Sequence, residues 1–283
     1  MRKTIIYIIG AGRSGTTLMD VMLGNADGIF SCGELNRYPI TGGIQTGLDQ
    51  ESERASFWKA FAEQFGGKYD LTQQKQLHHA FEYHSGLLKR LMGQFDEDRY
   101  GKYQAFLRDF YSLLFDSIDE SIIVDSSKYP GRALALTDTV DYDLKYVYIK
   151  RDPVRVVKSF AKKDMFIPTK NWWEANTYYL TVNHLCRRVL SKLRKNYPVV
   201  EIRYEDLVSQ PETILHQIQE GIDVDLSAVI EKVNNDDFLQ VGDLFAGNTM
   251  RMKEQIKLQR GLKDYPKNFR NRMTRLINLT VYQ

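Results

Sequence analysis

Cysteine is nearly absent from this 283-residue chain: Cys32 and Cys186 are the only two. They are too few and too far apart for a disulfide framework or for paired zinc ligands, and buried free thiols are expected. Long apolar runs are lacking as well. No window approaches the roughly 20 apolar residues of a membrane helix, and the run at 5–9 is broken at once by Gly10. That run follows Met1-Arg2-Lys3 but has no small-residue cleavage site behind it, which argues against a secretory signal. Charge of one sign is not in excess either. The 39 Lys and Arg against 36 Asp and Glu leave a formal +3, spread along the whole length and without the basic stripe of a nucleic-acid binder. Repeats and low-complexity tracts are missing. These absences leave a globular, cytoplasmic protein with no membrane span and no nucleic-acid partner, of a size that suits one domain over 1–283.

What is present is a set of short β-branched runs: TIIYII (4–9), SIIVD (121–125), LKYVYIK (144–150) and PVVEIRY (198–204). Helical patterns separate them, as in a parallel sheet with crossover helices. The stretch 51–119 shows no convincing strand and predicts about three amphipathic helices, near 51–65, 72–92 and 102–117. It reads as a helical insertion over about 45–119, entered through the Gly-rich piece 41–47, a candidate mobile linker. Shorter helices are expected at 211–220 and 226–234, and a last one near 266–281. Between them the polar segment 236–260 is long for a connector, and such loops are usually functional or disordered.

The run Gly10-Ala11-Gly12-Arg13-Ser14-Gly15-Thr16-Thr17 follows the first strand directly and opens a helical pattern. Its glycines let successive amides turn inward on an anion, with a helix N-terminus behind them. The Lys-Ser/Thr pair of the nucleotide triphosphatases, which holds phosphates and magnesium, is missing, and Arg13 sits early in the loop instead. At these residues the sequence resembles the sulfotransferases that use 3′-phosphoadenosine 5′-phosphosulfate (PAPS), in particular the tyrosylprotein and bacterial members. The resemblance implies an α/β, P-loop-like three-layer fold with a central parallel sheet flanked by helices. It assigns Gly12, Arg13, Ser14, Gly15, Thr16 and Thr17 to the 5′-phosphosulfate, and it implies transfer without a metal.

A second anion site follows the strand at 144–150. Asp152 and Pro153 read as the N-cap and first residue of a helix, so that Arg151 stands at the strand's C-terminal end and Ser159 on the second turn. The resemblance gives Arg151 and Ser159 to the cofactor's 3′-phosphate, with Lys163 assisting. It also gives Tyr204, in Arg203-Tyr204-Glu205-Asp206-Leu207, to the adenosine, and it folds Gly247-Asn248-Thr249-Met250-Arg251 over the nucleotide, with Arg251 meeting the 3′-phosphate. Two phosphate sites at the ends of parallel strands suit a doubly phosphorylated nucleotide.

Sulfuryl transfer to a hydroxyl needs a base, cations at the bridging and non-bridging oxygens, and in-line geometry. By the resemblance Glu34 is the base, Lys128 faces the leaving phosphate and Arg13 completes the cationic cradle. Read without it, Glu34 is a carboxylate paired with Arg37, Lys128 a surface lysine, and Asp125 either orients Lys128 or caps a turn. His78, His79 and His84 are an alternative source of a base; their spacing does not suit a shared metal site. Trp172, Trp173, Tyr178 and Tyr179 read as helix packing or as a wall for the hydroxyl-bearing acceptor. The competing readings are a small-molecule kinase with a divergent phosphate loop and a nucleotide-binding module that has lost catalysis.

Overall fold

In the computed structural model, residues 2–47, 53–163, 165, 168–262, 264–266 and 268–282 are described. The chain runs β1 (Thr4–Gly10), α1 (Thr16–Leu23), β2 (Ile29–Gly33), then α2 (Glu53–Phe65), α3 (Leu71–Phe81), α4 (His84–Leu91) and α5 (Glu97–Asp116). It continues through β3 (Ile122–Lys128), α6 (Pro130–Thr137), β4 (Asp143–Lys150), α7 (Pro153–Phe160), α8 (Trp172–Leu193) and β5 (Val199–Arg203). The last part comprises α9 (Tyr204–Ser209), α10 (Pro211–Ile222), α11 (Ser227–Asn234), β6 (Phe238–Gln240), β7 (Gln255–Lys257), α12 (Phe269–Ile277) and α13 (Leu279–Tyr282).

Five strands form one parallel sheet in the order β2-β3-β1-β4-β5. The chain leaves the central β1 in one direction and returns past it in the other, so the C-terminal ends of the middle strands border a topological switch point. β1 shows why the sheet is sandwiched: Ile5, Tyr7 and Ile9 enter one apolar core, Ile6 and Ile8 the other. Helices α2 to α8 cover the first face, and α1, α9, α10 and α11 the second. The expected three-layer α/β architecture is therefore what the chain adopts. Among the described residues no helix is long and apolar enough to cross a membrane, and Cys32 and Cys186 are buried free thiols.

Several expected boundaries change. The pattern at 72–92 is not one helix but α3 and α4, broken at Glu82 and Tyr83, where Tyr83 is extended. The insertion's third helix starts at Glu97 rather than 102, and the expected start of its first helix, at 51–52, lies outside the described residues. The last helix is likewise two shorter ones, α12 and α13. An unexpected edge strand, β2, joins the sheet, and β3 extends three residues further than its apolar run. The piece at 41–47 is no free linker: Gln45 is buried, and its side-chain amide donates to the Leu244 carbonyl at 2.7 Å.

One buried carboxylate carries a stability consequence. Asp20 on α1 is fully buried and accepts a hydrogen bond from Ser31 Oγ on β2. Burial pushes its pKa up to about 7, against the hydrogen bond from Ser31 that pulls it down. A raised carboxyl pKa means that the folded state holds a proton the unfolded chain releases above pH about 4. That stability is present at low pH and is lost as pH rises through 7. Asp20→Asn should flatten the fall of unfolding free energy between pH 5 and 8, about 2 kcal/mol in the parent. Urea unfolding at the two pH values checks it; an equal fall in parent and variant refutes it.

Candidate active site

All five parallel strands end at a residue singled out above. β1 runs into the glycine loop, β2 into Glu34, β3 ends on Lys128, β4 is followed by Arg151 and β5 by Tyr204. A parallel sheet places these ends along one edge, the usual location of a site in an open α/β sheet.

Backbone geometry also marks two of these residues. Among the described residues only four that are not glycine have positive φ: Arg13 (70°), Lys128 (63°), Asp223 and Asp236. Aspartate tolerates the left-handed region, whereas for arginine and lysine it costs about 1–2 kcal/mol. Arg13 and Lys128 are thus held in strained conformations by their surroundings. Lys128 sits beyond a bulge, since Tyr7 pairs with Asp125 and Ile9 with Lys128. A second bulge, in β2, lies just before Glu34. Bulges at strand ends re-aim side chains, and here they turn the two toward each other: Lys128 Nζ donates to Glu34 Oε1. Glu34, 9% exposed, is therefore paired with Lys128 rather than with Arg37.

Glu34 is fixed from behind by the late segment at 236–260. Its N–H donates to the Ala246 carbonyl at 2.9 Å, and Phe245 N–H donates to the Cys32 carbonyl at 2.8 Å. A Cβ on Gly33 would stand 2.4 Å from the Ala246 carbonyl, and Gly33 has φ +75°, so glycine is needed beside the carboxylate. Lys128 is braced through its neighbour. Ser127 N–H donates to Asp125 Oδ1 at 2.8 Å, Ser127 Oγ donates to the same atom, and Asn36 N–H donates to Ser127 Oγ at 2.9 Å. Asp125 thereby orients the Lys128 turn and ties it to the turn that carries Glu34.

At the glycine loop, the first helical bond of α1 runs from Met19 N–H to the Gly15 carbonyl at 3.1 Å, which leaves the Thr16, Thr17 and Leu18 amides outside the helix ladder. Arg151 Nη1 donates to the Arg13 carbonyl at 2.9 Å, and its guanidinium lies 4.0 Å from the centre of the Tyr204 ring. A Cβ on Gly15 would meet that ring at 2.3 Å. The ends of β1, β4 and β5 thus converge. Asp152 caps α7 as expected, accepting from Val154 N–H at 2.7 Å, while Glu205 accepts from Asp152 N–H at 3.1 Å and faces Arg155. Ser159 is half-buried on the second turn of α7; Lys163 is exposed, past the helix end. Gly247 packs against Thr17, and Asn248 accepts from Met250 N–H at 2.8 Å. Arg251 is buried, donates to the Thr46 carbonyl and lines a cavity with Glu34.

Two cavities flank this edge. One of about 1070 Å³ opens beside Tyr204 and is lined by Leu18, Asn248, Thr249 and Met250. The other, about 540 Å³, holds Glu34, Lys128 and Arg251 together with Tyr83, His84 and Tyr178. Tyr178 Oη accepts from Gly12 N–H at 2.9 Å; burial pushes the phenol up to about 12, so it stays neutral. Of the three histidines only His84 reaches the cavity, its pKa lowered by burial. His78 faces Glu82 at 2.9 Å, and His79 stacks on Tyr83. Trp172 is a packing residue, its indole donating to Thr274 Oγ1 at 2.9 Å.

A sulfotransferase family model matches residues 6–228; the chain belongs to the sulfotransferase family. Among solved structures, the sulfotransferase domain from the curacin biosynthetic pathway aligns over 99% of this chain and 98% of its own, at 20% identity and TM-score 0.55. Sulfotransferase STF9 from Mycobacterium avium aligns over 83% of this chain and 68% of its own, at 11% identity and TM-score 0.50. At these identities the likeness is one of fold. No curated protein sequence matches the chain.

Proposed function

We propose that this protein transfers a sulfuryl group from PAPS to a hydroxyl of an acceptor bound beside Glu34, with Glu34 as base and the whole of 1–283 acting as one sulfotransferase domain. The observation that carries this reading is the convergence of the five strand ends, which sets the glycine loop, Arg151 and Tyr204 on one side and the Glu34–Lys128 pair on the other. The residues suit the donor. Ser14 Oγ and Arg151 Nε are buried with no hydrogen-bond partner among the described residues, a state that costs about 1–3 kcal/mol per group and that an anion relieves. Gly12, Arg13, Ser14, Gly15, Thr16 and Thr17 would hold the 5′ end, and Arg151, Ser159 and Lys163 the 3′-phosphate. Tyr204, Gly247 and Asn248 would border the adenosine.

When bound, PAPS supplies an activated sulfuryl group: the bond from sulfur to the bridging phosphate oxygen breaks, a bond from sulfur to the acceptor oxygen forms, and 3′,5′-ADP leaves. Glu34 takes the acceptor's proton on the carboxylate oxygen that Lys128 does not occupy. Lys128 has further N–H donors for the bridging oxygen, and Arg13 adds charge where it develops. Arg251, which lines the cavity with Glu34, would serve the acceptor side.

Calorimetry with 3′,5′-ADP tests the donor half. Arg13→Ala and Arg151→Ala should each weaken binding by about 10- to 100-fold, the value of a charge-assisted hydrogen bond to phosphate. Unchanged affinity in both variants, or binding of ATP with magnesium in place of 3′,5′-ADP, would overturn the reading.

A further inference from the structure

We propose that the acceptor is a small aromatic molecule that carries a carboxylate in addition to the hydroxyl to be sulfated. This rests on the sulfotransferase reading above and names the substrate class of the same site.

The cavity beside Glu34 is walled by rings drawn from separate elements. Tyr83 and Tyr129 lie nearly parallel, with centroids 5.3 Å apart; Phe160 meets Tyr178 edge-on at 5.2 Å; His84 bridges them, 5.8 Å from Tyr129 and 5.9 Å from Tyr178. Such walls favour a flat π-system in offset or edge contact. Its volume, about 540 Å³, suits a compact ligand. The uncharged polar groups of the lining, Asn36, Thr46, Thr177 and Thr181 beside the tyrosine hydroxyls, are interspersed with these rings. An alkyl chain would need an aliphatic channel, whereas Val182, Pro168 and Ala246 are scattered among the aromatic and charged groups.

The charge pattern supplies the second half. Four cations line the cavity, Arg37, Lys128, Lys170 and Arg251, against the single carboxylate of Glu34. Lys128 is matched to Glu34, and Arg251 donates to the Thr46 carbonyl. Arg37 and Lys170 have no ion-pair partner among the described residues. Lys170 is instead held over the rings of Tyr178 and Phe160, at 5.4 and 5.7 Å. Ring faces position an ammonium without neutralising it. His84, neutralised by burial, adds no charge of its own at neutral pH. The donor's phosphates are met by the loop and the β4 end, so Arg37 and Lys170 remain as the cations for an anion on the acceptor.

The test compares three phenols of nearly equal size with labelled PAPS: 4-hydroxyphenylacetate, 4-ethylphenol and tyramine. The expected kcat/KM is at least about tenfold higher for the carboxylate than for the neutral phenol, the order of one charge-assisted contact, with the ammonium poorest. In Lys170→Met and Arg37→Met the ratio between carboxylate and neutral phenol should fall toward 1, through KM. Equal kcat/KM for the three phenols, or a ratio unmoved in both variants, overturns the proposal. If none of the phenols is sulfated while 3′,5′-ADP binds, the acceptor class is wrong and the donor reading stands; if 3′,5′-ADP does not bind either, both fall.

Discussion

Glu34→Gln should lower kcat by about 10²- to 10⁴-fold, the usual contribution of a positioned general base, and leave 3′,5′-ADP affinity unchanged. The amide keeps the size and the oxygen to which Lys128 donates, and the Glu34 main chain remains pinned by the Ala246 carbonyl. What it removes is the ability to take a proton. Because Glu34 stands at the end of β2 while the glycine loop and Arg151 stand at the ends of β1 and β4, the nucleotide contacts should not register the change. Single-turnover kinetics with labelled PAPS, set beside calorimetry with 3′,5′-ADP, separates the two. Parallel loss of rate and affinity would remove Glu34 from the role of base and make it a structural brace of the donor site. Full activity would pass that role to His84, the one histidine that lines the cavity.

The candidate residues at the strand ends were legible in the sequence because each strand is followed at once by its candidate residue. An apolar run, a glycine loop or an Arg-Asp-Pro step, and a helix pattern lie in one continuous stretch. The cavity beside Glu34 was not legible, because its walls come from the residues at and around α4, α6, α7 and α8 and meet only through packing. The missed strand β2 shows the difficulty at the level of one element. IFSCG is short, ends in glycine at positive φ, and owes its place to pairing with β3. β3 was read too short because its last residues, Ser126, Ser127 and Lys128, are polar. Both serines are nevertheless buried, and Ser127 is compensated by its hydrogen bonds to Asp125. The helix expected over 72–92 breaks where its side chains are used on both sides. Glu82 turns into the interior, and Tyr83 and His84 turn into the cavity. Gly86 permits that turn, because a Cβ there would overlap the Ala80 carbonyl at 1.9 Å. Arg251 lines the cavity that holds Glu34 and donates to the Thr46 carbonyl, contacts that depend on packing distant in sequence.

Arg132→Met should destabilise the protein by about 3–5 kcal/mol, the cost of stranding buried partners of a lost charge. Arg132, on the first turn of α6, is 1% exposed. Its Nη1 donates to Glu82 Oε1 at 2.9 Å and its Nε to Asp125 Oδ2 at 3.1 Å, while Tyr103 and Tyr111 donate to the same two carboxylates. Burial alone would push the Glu82 carboxyl up, but the charges and hydrogen bonds of His78, Arg132 and Tyr103 outweigh it and hold the pKa at about 2. A depressed carboxyl pKa contributes stability that is present above the ordinary value of about 4.5 and is lost as pH falls through 2. Without the guanidinium, the Glu82 pKa rises, and acid unfolding should begin at a higher pH in the variant. Thermal melts across pH 3 to 7 read both effects, with Tm down by roughly 5–8 °C at neutral pH and a steeper acid limb. The same variant should lose turnover beyond its loss of folded protein, because Asp125 holds Ser127, and Ser127 links the turns of Lys128 and Glu34. Ser127→Ala isolates that link at a stability cost of about 0.5–1.5 kcal/mol. It should lower kcat with the melt nearly intact, and it should leave 3′,5′-ADP binding alone. If Ser127→Ala keeps full turnover, Asp125 and Arg132 serve the fold only, and the alignment of Lys128 with Glu34 rests on the two bulges.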